Sequence, residues 1–270
     1  MNFHPDSWIM AEVAQHYLET CDTFYSDKVV GVFLQGSQNY GLDYENSDVD
    51  TKAVLLPNFK DIVLNKQPIS TTHIREDNSH TDWKDMRLML NCFRKQNLNF
   101  LEILFTPYFI LSNFYKNEWN ELIQHREKIA HYNPYQAVKS MKGIAMEKYH
   151  AMEHEYPSKL EILAKYGYDG KQVHHLLRVE DYIERYINGE DYQSCLIPSS
   201  DIVDKLMAYK NQEIPLSIAR PEADKSIANI IQMADDFTSK IENKSNAQVD
   251  ELLNEVMYKI MKKSMKEELA

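Results

Sequence analysis

Residues Gly31 to Leu56 read GVFLQGSQNYGLDYENSDVDTKAVLL. An apolar run ends at Gly36-Ser37, a polar segment follows, and a second apolar run opens on Ser47-Asp48-Val49-Asp50. The order reads as a strand, a tight glycine-serine turn, a short helix and a second strand. A strand that delivers such a turn to a helix start offers backbone N–H groups to phosphate oxygens. Asp48 and Asp50, two apart on a strand, share one face because side chains alternate with a period of two. Two ionised carboxylates side by side repel unless a cation neutralises them, and Mg²⁺ held by carboxylates and substrate phosphates removes that repulsion. The stretch therefore suits a divalent-metal site for phosphoryl or nucleotidyl transfer.

Taken singly, each piece has a plainer reading. Gly36-Ser37 alone is a strand-to-helix turn with a serine cap, and Asp48 and Asp50 alone are an acidic, solvated strand end. Gly31 and Gly36 have the spacing of a Walker A loop, but Ser37 stands at the lysine position and the residues between read as strand. An EF-hand loop from Asn46 would need glycine where Thr51 stands and glutamate where Pro57 stands.

In this order and at this spacing, Gly36-Ser37, Gly41 and Ser47-Asp48-Val49-Asp50 resemble the signature of the DNA polymerase beta superfamily of nucleotidyltransferases. Asn97 to Pro107 (NLNFLEILFTP) and Gly170 to Arg178 (GKQVHHLLR) are similar to its bacterial and phage branch of predicted nucleotidyltransferases, which includes RNA-repair-associated members. The resemblance covers roughly the first two thirds of the chain and thins after about residue 195. It implies an α+β nucleotidyltransferase fold, a small mixed or antiparallel sheet with flanking helices, followed by a helical C-terminal region. It also implies transfer of a nucleoside monophosphate from an NTP to a hydroxyl, with Asp48 and Asp50 binding two Mg²⁺ ions (Mn²⁺ being the alternative metal). Gly36 and Ser37 would hold the β- and γ-phosphates. A third carboxylate is expected from the neighbouring strand as ligand and base. Asp82, inside HTDWKD, is the choice, and Asp85, at the start of the next helix, is the close alternative. The family segment after Asn97 usually carries proline where this chain has Leu98. Glu102 either lines the pocket or supports the core.

Lys171, His175 and Arg178 recur at i, i+4 and i+7, one stripe of a helix. Such a stripe alone is a solvated basic face. It falls in a family-like segment, and an acidic protein that binds a triphosphate needs local cations, so it is expected to reach the phosphates or the acceptor. His150, Glu153 and His154 spell H-x-x-E-H, a zinc-protease pattern that competes remotely with the transferase reading.

The net charge of −11 argues against a broad nucleic-acid groove and leaves a small nucleotide, a protein acceptor or a nucleic-acid end. Of seven glycines, three (Gly31, Gly36, Gly41) fall in the opening stretch, so glycine is placed where it acts. Three dispersed cysteines, Cys21, Cys92 and Cys195, form no CxxC pair and read as reduced thiols. With no leader pattern and no bilayer-length apolar run, the expected location is the cytoplasm.

Along the chain the patterns predict an N-terminal helix over 7–26, strands over 29–34, 48–56, 69–74 and 80–84, a helix over 85–94 and a short apolar element over 98–104. The expected division is a nucleotidyltransferase domain over 1–108 and an all-helical domain over 109–270 that completes the cleft. Ser245 and Gln248 form a capping-box pattern before the amphipathic last helix. The function expected is metal-dependent nucleotidyl transfer to an RNA 3′ end, a protein or a small molecule. The alternative is a nucleotide-binding or interaction module that has lost transfer.

Overall fold

The computed structural model describes residues 6–44 and 47–269, and it is α+β. In chain order the elements are α1 (Ser7–Phe24), β1 (Val29–Gln35), β2 (Asp50–Leu55), α2 (Phe59–Val63), β3 (Ser70–Ile74), β4 (His80–Asp85), α3 (Met86–Arg94) and α4 (Leu98–Leu101). There follow β5 (Phe109–Leu111), α5 (Lys116–Gln124), α6 (Arg126–Ala130), α7 (Pro134–Ala151), α8 (Leu160–Tyr166), α9 (Gly170–Ile187), α10 (Tyr192–Leu196), α11 (Val203–Lys210), α12 (Leu216–Thr238) and α13 (Ala247–Leu269).

The five strands make one mixed sheet in the order β3-β4-β2-β1-β5. β2 and β4 run parallel, and the other neighbours are antiparallel. β1 lies between β2 and β5 and is buried along its whole length, which explains why its sequence is a continuous apolar run instead of an alternating one. The register pairs Gln35 with Asp50 and Phe33 with Lys52 across β1 and β2, and Lys52 with Asp82 across β2 and β4. Gln35, Asp50, Lys52 and Asp82 therefore belong to one face of the sheet, and Thr51 and Thr81 to the other.

That second face carries α1, whose Ile9 and Val13 join Val32, Leu34, Ala53 and Leu55 in a buried cluster. A polar knot lies within it: His16 Nδ1 is 2.8 Å from Thr51 Oγ1 and 3.0 Å from Thr81 Oγ1, and Arg75 donates to His16 Nε2 at 2.7 Å. Burial, aided by the Arg75 charge, pushes the His16 pKa down to about 4, so the ring is a neutral acceptor for the guanidinium. On the opposite face Phe33 packs against Trp119 of α5, with ring centroids 4.8 Å apart.

Three sequence expectations need correction here. A strand follows Pro107 where only helices are expected: β5 pairs with β1, and a Cβ on Gly31 would come within 2.9 Å of Ile110 O, so this close pairing needs the glycine. The cap of α13 is Asn246, whose Oδ1 accepts from the N–H groups of Gln248 (3.0 Å) and Val249 (3.3 Å), in place of the Ser245 box. Pro221, a residue whose missing N–H predicts a break between helices, lies inside α12.

The chain divides into two compact units, 1–132 with 245–270, and 133–244. Position 108 lies inside the first unit, and α13 returns to it, packing on α3 and α5. Val249, Leu253, Val256 and Ile260 of α13 are buried there. In the second unit α7, α9 and α12 pack on one another around Val138, Met141, Val173, Leu176 and Ile230.

Candidate active site

At the end of β1 the chain turns at Gly36, whose φ of 97° lies in the region that side chains other than glycine's rarely adopt. Ser37–Asn39 form a single 3₁₀ turn instead of the longer helix suggested by the sequence. The turn is pinned on both sides. Asn39 donates to Leu34 O at 3.1 Å and accepts from Thr106 Oγ1 at 2.6 Å. The buried Gln38 amide donates to the Asp48 carbonyl at 2.7 Å, which ties the turn to the chain just before β2. Among the described residues the Ser37 hydroxyl makes no hydrogen bond to protein.

Asp50 opens β2, and Asp48 precedes the strand and is exposed. The period-of-two argument therefore covers Asp50 and not Asp48, whose position follows from the Gln38 tether. Asp50 Oδ1 accepts from the His80 N–H at 3.1 Å and lies 2.7 Å from His80 Nδ1. If Nδ1 carries the proton that Asp50 accepts, Nε2 is left to accept from the Gln35 amide 3.4 Å away.

Asp82 is half-buried on β4, on the same face as Asp50 and Lys52. Its Oδ1 accepts from Thr72 Oγ1 at 2.6 Å, and its Oδ2 faces the Gln35 amide at 3.4 Å and the Lys52 ammonium at 3.8 Å. Lys52 is hydrogen-bonded to Gln35 Oε1, stands 4.0 Å from Glu102 Oε1 and lies 5.2 Å from the centre of the Phe100 ring. Burial pushes its pKa down to about 8, with Asp82 opposing the fall. Asp85 is only 2% exposed and caps α3: Oδ1 accepts from the Arg87 N–H at 2.8 Å and from Arg87 Nε at 2.9 Å, and Oδ2 pairs with Arg87 at 2.7 Å. Of the two candidates for a third carboxylate, Asp82 shares the face of Asp50, and Asp85 is engaged as a helix cap.

Asp48 and Asp50 supply hard oxygen donors, and Mg²⁺ or Mn²⁺ takes one or two carboxylates together with phosphates and water. The donor chemistry fits such an ion. Among the described residues no group of three or more His, Cys, Asp or Glu side chains is arranged to hold a metal. At Asp82 the near charge is an ammonium.

Lys171, His175 and Arg178 lie on α9 of the second unit, with Lys171 exposed and the other two half-buried. Desolvation holds His175 well below the ordinary histidine pKa, so at neutral pH it carries no charge and the stripe has two cations. The H-x-x-E-H pattern has no helical geometry: α7 ends at Ala151, His154 lies past it against Tyr156, and Glu153 pairs with Arg220 at 2.7 Å.

Sequence reasoning passed over Gln35, Lys52, Thr72 and His80. Two of them were within its reach, since counting by twos from Asp50 gives Lys52 and from Asp82 gives His80.

The α+β fold thus gathers acid, amide and lysine side chains of one mixed sheet beside a glycine turn. The chain belongs to the RNA repair pathway DNA polymerase beta family (RlaP), whose model matches residues 10–182, and the family carries a nucleotidyltransferase-like role in RNA repair. No curated protein matches the chain. Among the described residues no helix is long and apolar enough to cross a membrane.

Proposed function

We propose that this chain transfers a nucleoside monophosphate from an NTP to a hydroxyl at an RNA end, with pyrophosphate leaving. The observation that carries this reading is the register of β1, β2 and β4. It sets Asp50 opposite Gln35, one residue before the Gly36 turn, and brings Asp82 to the same face. The family's repair pathway supports an RNA acceptor over a protein or a small alcohol.

In this reading Gly36 and Ser37 hold the β- and γ-phosphates with backbone N–H groups and the Ser37 hydroxyl. Asp48 and Asp50 hold Mg²⁺, with Mn²⁺ as a substitute, and His80 keeps the Asp50 carboxylate aimed. The bound ion supplies charge neutralisation on the triphosphate. The acceptor oxygen forms a bond to the α-phosphorus as the bond to the β-phosphate oxygen breaks, and the acceptor proton passes to Asp82. Lys171 and Arg178 offer cations for RNA phosphates in a protein that is otherwise acidic. The chain's work is positioning and electrostatics, with no covalent enzyme intermediate.

The test is titration of each of the four NTPs with Mg²⁺ into wild type and into an Asp48→Ala, Asp50→Ala double variant, with pyrophosphate release followed after addition of total RNA. Metal-dependent binding that is lost in the variant, with pyrophosphate released by wild type, is expected. Binding without release in RNA, protein or small-molecule pools would favour a nucleotide-binding module that has lost transfer. No binding of any NTP would refute the proposal.

A further inference from the structure

Lys52 sits two residues past Asp50 on the site face and is 4% exposed. A buried ammonium is costly unless it is paired, and a methionine of similar volume would fill the same space without that cost. The charge therefore calls for an explanation in its partners. Gln35 Oε1 accepts a hydrogen bond from it, Asp82 Oδ2 lies at 3.8 Å, Glu102 Oε1 at 4.0 Å, and the Phe100 ring at 5.2 Å. The same Gln35 side chain turns its amide toward Asp82, so lysine and glutamine act together on Oδ2 while Thr72 holds Oδ1.

We propose that Lys52 is a positioning residue that stands in the place of a second metal ion, so that the site works with one divalent cation at Asp48 and Asp50 and Asp82 serves as proton acceptor only. The inference rests on the transferase reading above and replaces the two-ion arrangement expected from family resemblance. Two observations support it. The contacts that orient Asp82 come from a hydroxyl, an amide and an ammonium, which together leave the carboxylate oriented without a metal ligand's role. A divalent cation at Asp82 would also have to sit beside a buried positive charge, and like charges at that separation in a poorly hydrated site oppose each other strongly. Glu102, buried beside the same ammonium, gives the lysine a second anion to satisfy and helps fix its position.

The experiment counts metal ions. Mn²⁺ is titrated by electron paramagnetic resonance into wild type, Lys52→Met, Lys52→Arg and Asp82→Asn, each saturated with the α,β-methylene analogues of the four NTPs. One Mn²⁺ per chain is expected in wild type, Lys52→Arg and Asp82→Asn, and two in Lys52→Met, where Asp82 is released to an ion. Two in wild type, falling to one in Asp82→Asn, would make Asp82 a metal ligand and overturn the proposal, as would one in Lys52→Met. No Mn²⁺ with any analogue would sink the transferase reading itself, an outcome distinct from a count of two. If Lys52→Met does not fold, the comparison of wild type with Asp82→Asn still decides. In turnover, Lys52→Met is expected to lower kcat about tenfold with KM for the NTP little changed, Lys52→Arg to restore most of it, and the loss to vanish in an Asp82→Asn background. Equal losses in the Met and Arg variants would argue against a role for the charge.

Discussion

The buried His16 makes stability depend on pH in a window that can be calculated. Its ring accepts from Arg75 and is packed against Thr51 and Thr81, and its pKa falls from 6.5 to about 4. Above pH 6.5 the histidine is neutral in both folded and unfolded chains, and its contribution is fully present. As pH falls from 6.5 toward 4, the unfolded chain takes up a proton that the folded chain refuses, and stability is lost. The full loss is about 3 kcal/mol, and between pH 7.5 and pH 5 it is about 2 kcal/mol. Carboxylates in the same knot act lower on the scale. Glu19 is held down, against its burial, by Gln15 and Arg75, and Asp77 is held down first by its hydrogen bond from the Ser79 hydroxyl. The assay is urea unfolding followed by tryptophan fluorescence, which reports the first unit because Trp8, Trp83 and Trp119 all lie in it. A His16→Gln variant should start less stable at pH 7.5 and lose little more by pH 5, so that the gap to wild type closes by about 2 kcal/mol. Parallel pH profiles for wild type and variant would refute the reasoning.

Two further outcomes are expected. His80→Ala removes the contacts that orient the Asp50 carboxylate and should weaken Mg²⁺-dependent NTP binding about tenfold while the melting temperature moves little, as calorimetry and thermal melts would read. Gly36→Ala forces a side chain into a φ of 97° and should cost about 1–3 kcal/mol in urea unfolding, or distort the turn and lower NTP affinity; neither effect would mean that the turn has a different conformation.

The strands were readable because β1 and β2 are apolar runs bounded by glycine and proline, and β3 and β4 flank a turn sequence. β5 was not, since three residues after Pro107 carry too little pattern to distinguish strand from loop, and its pairing depends on Gly31 across the sheet. Asp50 and Asp82 could be placed together because strand parity is encoded residue by residue. Asp48 could not, because its place depends on a hydrogen bond from Gln38, ten residues earlier. Asp85 could be read equally as ligand or cap, and its pairing with Arg87 decides its surroundings. His175 read as a cation because the sequence does not report how deeply a helix face is desolvated. The return of α13 to the first unit left no local trace, since an amphipathic helix carries the same pattern whichever unit it covers.

That return makes the first unit discontinuous along the chain. The Asn246 N–H donates to Tyr132 O at 2.8 Å where the chain re-enters it, and in the second unit Asn133 donates to Asn243 Oδ1 at 2.8 Å. The second unit is thus an insertion whose two ends are closed by hydrogen bonds. During synthesis on the ribosome the sheet emerges early, yet the apolar surface that Val249, Leu253, Val256 and Ile260 cover has to wait until the whole insertion has been made. The last helix is then the final step of assembly for the part of the molecule that carries the carboxylates.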